Sequence, residues 1–316
     1  MDNRKVVIIG DGAVGSTTAY TLLLQDYVNE IVIIDINKDK TEGDVLDMKH
    51  GMAFVSPKKL KAGDYKDCED AHVVIITAGV AQKEGETRID LLKRNIKVFD
   101  GILDSLKPHM NDMMVVLVVT NPVDILSYYT FKKLGIDSKR VIGSGTVLDS
   151  ARLRFLISED ANIDPRNVHA YVIGEHGDSE VSAFSVANIA ESPLIEYYEN
   201  QNCPNPRAHL EKLQNEVKNA AYEIISKKGA TFYAIALSTA KIVETILNNQ
   251  KSVLTVSTYI QNEFNGQIDE VYLSLPAIIG NDGVIKRLSL NYSYEEVLKL
   301  IESAKTLKKQ YKELNI

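Results

Sequence analysis

The chain opens on Lys5-Val-Val-Ile-Ile9, an apolar β-branched run closed by glycine, which is the pattern of a strand buried on both faces. Ser16 to Leu24 then reads as a helix, and Ile31 to Ile34 as a second buried strand closed by Asp35. The alternation continues with strand Val73–Thr77, a helix from about Glu86 to Leu106, strand Val115–Thr120 and helix Val123–Leu134. In the longer helix Ile89, Leu92, Ile96, Phe99, Leu103 and Leu106 form one apolar stripe, and Pro108 ends it. Strands alternating with helices predict crossover units, hence an α/β fold with a parallel sheet covered on both faces.

The pattern changes near residue 143. A helix from Asp149 to about Glu159 leads to strand Val168–Ile173, a turn containing His176, and a strand around Val181–Asn188. Leu210, Leu213, Val217, Ala220, Ala221, Ile224 and Ile225 line an amphipathic helix that Gly229 stops. A more apolar helix spans Phe232–Leu247, and Val253–Ile260 with Val271–Ile279 read as an antiparallel pair. Ser293-x-x-Glu296 is a capping box for the last helix, whose buried face is Val297, Leu300, Ile301, Ala304 and Leu307. Two domains are expected: residues 1–143, of nucleotide-binding type, and residues 144–316, a mixed α+β unit.

Charge narrows the partners. A net charge of −7 argues against nucleic acid and anionic membrane surfaces, and the longest apolar run, Met113–Val119, cannot span a bilayer. Cys68 and Cys203 form neither a metal spacing nor a disulfide framework, and no signal peptide is evident. A cytoplasmic protein without a metal is expected.

Gly10-x-Gly12-x-x-Gly15 lies between a strand and a helix, and an acidic residue, Asp35, ends the next strand twenty residues after Gly15. That context makes it a dinucleotide fingerprint, predicting a Rossmann-type doubly wound sheet with Gly10, Gly12, Val14 and Gly15 at the cofactor. Asp35 can accept ribose hydroxyls and would repel a 2′-phosphate, which favours NAD over NADP. His176, between two glycines, can donate and accept a proton near neutral pH. Asp149 and Arg152 share a helix face. An aspartate can orient a histidine and stabilise its imidazolium, while an arginine forks onto a carboxylate. The polar loop from Gly79 to Arg88, with Gln82 inside it, follows the third strand at the ligand-binding edge and has the make-up of a closing lid. Asn121 closes a strand at the same edge.

G-D-G-A-V-G, Q-K-E-G-E-T-R, T-N-P-V-D, L-D-S-A-R and G-E-H-G-D-S-E occur in order from residue 10 to residue 180. In order and spacing the chain resembles the lactate/malate dehydrogenase family from residue 5 nearly to its end. The resemblance implies that His176 is the catalytic acid/base and Asp149 its orienting partner. It makes Arg152 the clamp on the substrate carboxylate and Arg88 the lid arginine that polarises the carbonyl. Asn121 matches the family's active-site asparagine, serving cofactor and substrate, and Thr231 the threonine facing the substrate side chain.

Within the family, substrate choice turns on the position held here by Gln82, where malate-specific members carry arginine. A neutral glutamine suits pyruvate, whose methyl group would leave a buried arginine unpaired at a cost on the order of 3–5 kcal/mol. Pyruvate and L-lactate are therefore the expected pair, with oxaloacetate and malate as the alternative. Arg154 and His169 match residues that in bacterial members line an anion site for fructose 1,6-bisphosphate between subunits. With no N-terminal arm before the first strand, the resemblance implies a bacterial-type homotetramer responsive to that effector. A metal-dependent NAD glycosidase would need a Cys/His motif that Cys68 and Cys203 do not supply, and a non-catalytic binder would be expected to lack one of the four catalytic-site residues.

Overall fold

In the computed structural model, which describes residues 4–80 and 85–316 without the Arg88 side chain, β1 (Lys5–Ile9) is buried at every position. Parallel partners take up its backbone on both sides: Val6 stands opposite Ile31 in β2 (Glu30–Ile34) and Val73 in β4 (Val73–Ile76). With β3 (Lys59–Ala62), β5 (Val115–Val118) and β6 (Val141–Gly143), the parallel order is β6-β5-β4-β1-β2-β3. The order reverses between β1 and β4, the switch point at whose carboxyl edge open α/β sheets bind ligands. This is the expected doubly wound, Rossmann-type sheet.

Strand alternation sends side chains into two apolar layers. Val6, Ile8, Ile31 and Ile33 pack with Leu22 of α1 (Ala13–Leu23) and with Ile242 and Ile246 of α8 (Tyr233–Leu247). Val7, Ile9, Val74 and Ile76 pack with Phe99 and Leu103 of α3 (Arg88–Leu106) and Leu126 of α4 (Val123–Leu134). A fully buried aliphatic side chain contributes roughly 1.5–3 kcal/mol, so these layers dominate the stability of the sheet. The cover includes α8, from the second half of the chain, and Tyr27 Oη donates to the Ala240 carbonyl at 2.8 Å across that contact.

Four expected strands are interrupted, each for a visible reason. Val168–Ile173 divides into Val168–His169, paired with Asn188–Ile189, and Val172–Ile173, paired with Val181–Ser182. Hydroxyls at the start of α5 (Val147–Ala161) take the backbone of Val172: its N–H donates to Ser150 Oγ at 2.9 Å and its carbonyl accepts Thr146 Oγ1. The Val181–Asn188 stretch is broken by a 3-10 turn at Phe184–Val186. The late hairpin keeps one antiparallel register, Leu254 opposite Ala277 and Ser257 opposite Ser274, yet its halves join different sheets. Between those halves Pro276 offers no N–H, and the Thr255 carbonyl accepts the Thr146 N–H at 3.1 Å. Strands Ser257–Ile260 and Val271–Ser274 therefore extend the large sheet beyond β6 to eight strands. No helix among the described residues is long and apolar enough to cross a membrane.

Candidate active site

His176 is fixed by its backbone before its ring is considered. Gly174 adopts φ +92 and exchanges two 2.9 Å backbone hydrogen bonds with Ser274 on the extended sheet. A Cβ there would lie 2.9 Å from Ser303 Oγ of α9 (Tyr294–Leu314), the atom that accepts the Glu175 N–H at 2.8 Å. The His176 N–H donates to Asp124 Oδ2 at 2.7 Å, in the first turn of α4, and Ser257 Oγ donates to Asp124 Oδ1 at 2.5 Å. The histidine turn is thus held from α4, α9 and the sheet at once.

The ring then meets α5. Its Nδ1 lies 2.6 Å from Asp149 Oδ2, while Arg152 Nη1 donates to Asp149 Oδ1 at 2.8 Å. The Asp149 side chain is 3 % exposed and those of Arg152 and His176 are 15 % and 23 % exposed, so the aspartate sits behind two groups that reach toward solvent. Asp149 holds the proton on Nδ1, which leaves Nε2 to exchange protons with a bound molecule.

Burial disfavours a charged His176 ring. The Asp149 carboxylate, with Asp124 and Glu180 adding to it, overcomes that penalty and raises the pKa to about 9. Burial opposes ionisation of Asp149 too, but the imidazolium and Arg152 outweigh it and keep Asp149 below the ordinary carboxylate value. Around neutral pH the pair is therefore imidazolium and carboxylate. Two further carboxyls stand at the site. Burial pushes Asp124 up to about 7 despite the Ser257 and His176 hydrogen bonds, and burial with the Asp149 charge pushes Glu180 up to about 8.

The fingerprint forms a cradle suited to a pyrophosphate. Gly10 has φ +108, and a Cβ on it would lie 2.4 Å from the Ala78 nitrogen. On Gly15 a Cβ would sit 1.8 Å from the Gly10 carbonyl oxygen, so glycine is what lets α1 lie against the strand end. A Cβ on Gly12 would meet nothing within 4 Å. No side chain caps α1 at Gly12, so its first-turn amides are open to an anion. Asp35 accepts the Asp11 and Asn37 N–H groups at 2.7 and 2.9 Å, one on each carboxylate oxygen, and keeps further lone pairs for ribose hydroxyls. These residues fit a dinucleotide without a 2′-phosphate.

Of the residues singled out in the sequence, His176, Asp149 and Arg152 come together directly. Asn121 is exposed at the end of β5, before the cis bond to Pro122, three positions from the Asp124 that grips the histidine turn. Val14 is half-buried in the first turn of α1. Thr231 is half-buried between α7 (Pro206–Lys228) and α8, and none of the described hydrogen bonds links it to His176. Gln82 lies outside the described residues; Arg88 begins α3, and its side chain is likewise outside them. Arg154 is half-buried on α5, with one nitrogen 3.2 Å from the Pro165 carbonyl, and His169 is exposed. Asp124 and Glu180 were not anticipated. The T-N-P-V-D and H-G-D-S-E strings contain them, but their burial leaves no mark in the sequence.

Comparison with known proteins finds similarity along both halves of the chain. Residues 4–143 match the family model for the lactate/malate dehydrogenase NAD-binding domain, and residues 146–315 that for the alpha/beta C-terminal domain. The L-lactate dehydrogenase of Acetivibrio thermocellus is 51 % identical over 313 residues, which cover 99 % of this chain and 98 % of that one. That of Thermoanaerobacter pseudethanolicus is 50 % identical over 313 residues, covering 99 % and 100 %. The crystal structure of MGS-M5, a lactate dehydrogenase from a Medee basin deep-sea metagenome library, superposes with a TM-score of 0.95 at 43 % identity and covers both chains fully.

The charge pairing makes a direct prediction. Asp149→Asn keeps the shape of the side chain and removes the carboxylate, so the His176 pKa should fall from about 9 to at or below its ordinary 6.5. Because the folded value is raised, the pairing stabilises the fold fully below pH 6.5, and that contribution fades as pH rises through 9. An NMR titration of the ring protons checks it; a ring still titrating near 9 in the variant would assign the shift to Asp124 or Glu180 instead.

Proposed function

The chain belongs to the lactate/malate dehydrogenase family, and we propose that Asp149, His176 and Arg152 perform its chemistry here. It is an NAD-dependent oxidoreductase that interconverts pyruvate and L-lactate. The observation that carries the assignment of residues is the single buried carboxylate shared between an imidazolium and a guanidinium.

The Gly10–Gly15 turn and Asp35 would hold NADH, which would supply the hydride when bound. His176 donates from Nε2 to the substrate oxygen as negative charge develops there, and the Asp149 carboxylate stabilises the imidazolium until that transfer. Arg152 keeps nitrogens free beyond its bond to Asp149 and takes the substrate carboxylate through a two-point fork, which fixes which face of the carbonyl meets the cofactor. Asn121 orients the substrate from the end of β5. Arg88 is assigned from the sequence to the carbonyl oxygen, where a positive charge is worth roughly 3 kcal/mol in the transition state. Thr231 faces the methyl side. Both cysteines are unpaired, which suits a reducing cytoplasm, and a fermentative role in reoxidising NADH fits the reaction.

Specificity is assigned to Gln82. NADH oxidation should be far faster with pyruvate than with oxaloacetate. Gln82→Arg should move the kcat/KM ratio toward oxaloacetate by at least about tenfold, because only the diacid gives the new cation a partner. An unchanged ratio would remove Gln82 from this role.

Regulation and assembly are part of the same proposal. Among the described residues Arg154 Nε is buried without a hydrogen-bond partner, His169 is exposed, and Phe155, Ile225, Tyr233 and Leu237 are apolar side chains left exposed on α5, α7 and α8. These features support a homotetramer in which fructose 1,6-bisphosphate binds Arg154 and His169, raising pyruvate affinity by linkage. Pyruvate saturation and sedimentation with and without the effector should both change, and Arg154→Gln should abolish the response. An effector without influence on either measurement contradicts it.

A further inference from the structure

Glu180 is a buried carboxyl near the histidine that the chemistry above leaves unused. It lies four residues beyond His176, is 4 % exposed, and its Oε1 has no hydrogen-bond partner among the described residues. Ligand atoms of Glu180, Asp149 and His176 all fall within 4.8 Å of one another. Glu180 also lines a cavity of about 260 Å³, together with Ser179, Gln214, Lys218, Lys299 and Glu302.

A buried acceptor without a donor is destabilising, more so if charged, so its retention here calls for a physical reason. The groups facing it supply one. From α5 come Asp149, which opposes its ionisation, and Arg152, which favours it. His176 of its own turn and Lys218 of α7 also favour it. Lys299 and Glu302 of α9 stand across the cavity. His176 in turn is faced by Asp149, by Asp124 from α4, and by Glu180, all three of which favour its charged form. The proton on His176 and the proton on Glu180 are therefore linked: ionising one carboxyl strengthens the hold of the ring on its own proton. Arg152 already sits on Asp149, which favours a proton over a metal ion as the positive charge shared at this cluster.

We propose that Glu180 is a positioning residue which, standing against the Asp149–His176 pair from the cavity side, sets how firmly His176 holds its proton. The inference rests on His176 being the donor to the pyruvate oxygen. Ionised Glu180 appears only in mildly alkaline solution, so its effect falls on the basic limb of the pH profile.

The test is kcat/KM for pyruvate from about pH 6 to about pH 9.5 in the wild type, Glu180→Gln and Glu180→Asp. In Glu180→Gln the midpoint of the basic limb should move down by about half a pH unit, so that activity near pH 9.5 relative to pH 6 falls by about two- to threefold. Glu180→Asp, which keeps the charge, should recover much of that ratio. An unmoved midpoint, or a loss equal at every pH, overturns the proposal. Carbon-13 NMR of the wild-type side-chain carboxyl gives a readout that needs no variant: it should titrate above neutrality, and titration near the ordinary 4.5 overturns the proposal as well. A wild type that oxidises NADH with pyruvate while the limb stays put in Glu180→Gln defeats only the role of Glu180. A wild type without turnover defeats the activity reading beneath it.

Discussion

One carboxylate, Asp149, carries the site: one oxygen meets the imidazole at 2.6 Å and the other the guanidinium at 2.8 Å. Buried charges are tolerated only when paired, and breaking such a pair by removing one partner typically costs about 3–5 kcal/mol. Here the pairing does more than neutralise charge. It fixes the tautomer of His176, keeps the ring protonated through neutral pH, and aligns Arg152 beside it on the same helix. An imidazolium and a guanidinium are thereby held in one frame.

The fold supplies that frame by refusing to stop at its first domain. Strands Ser257–Ile260 and Val271–Ser274 continue the parallel sheet past β6, and Ser274 holds Gly174 while Ser257 holds Asp124. Asp124 belongs to the nucleotide-binding half and takes the backbone N–H of His176 from the other half. His176 is consequently positioned by the same sheet that carries the glycine cradle. The histidine turn cannot shift relative to the glycine cradle without breaking bonds on more than one element.

Legibility from sequence followed the strength of the physical signal. β1, β2, β4 and β5 were readable because strands buried on both faces are continuous apolar runs, and α3 because its stripe keeps helical spacing. The helix Lys38–His50 was not, since only Thr41 and Val45 are buried and no stripe exists to read. Strand Lys59–Ala62 buries only Leu60 at a sheet edge and resembles a polar loop. The interrupted strands near Val172 and Pro276 depended on side-chain hydroxyls and carbonyls arriving from distant parts of the chain. At the site, the Asp149–Arg152 spacing was visible but its meeting with His176 was not, because spacing does not encode a contact across 27 positions. In the sequence Asp124 is an acid at a helix N-terminus and Glu180 a polar residue after the histidine turn, and neither position stands out. Burial makes them otherwise, and burial is a property of the folded chain.

The central claim is that His176 gives the proton while the N-terminal half holds the cofactor. His176→Asn tests both parts in one protein, through NADH titration by fluorescence and turnover with pyruvate. The account predicts an NADH affinity within about threefold of the wild type and turnover lower by at least about a hundredfold. Turnover close to the wild-type rate in the variant would contradict it.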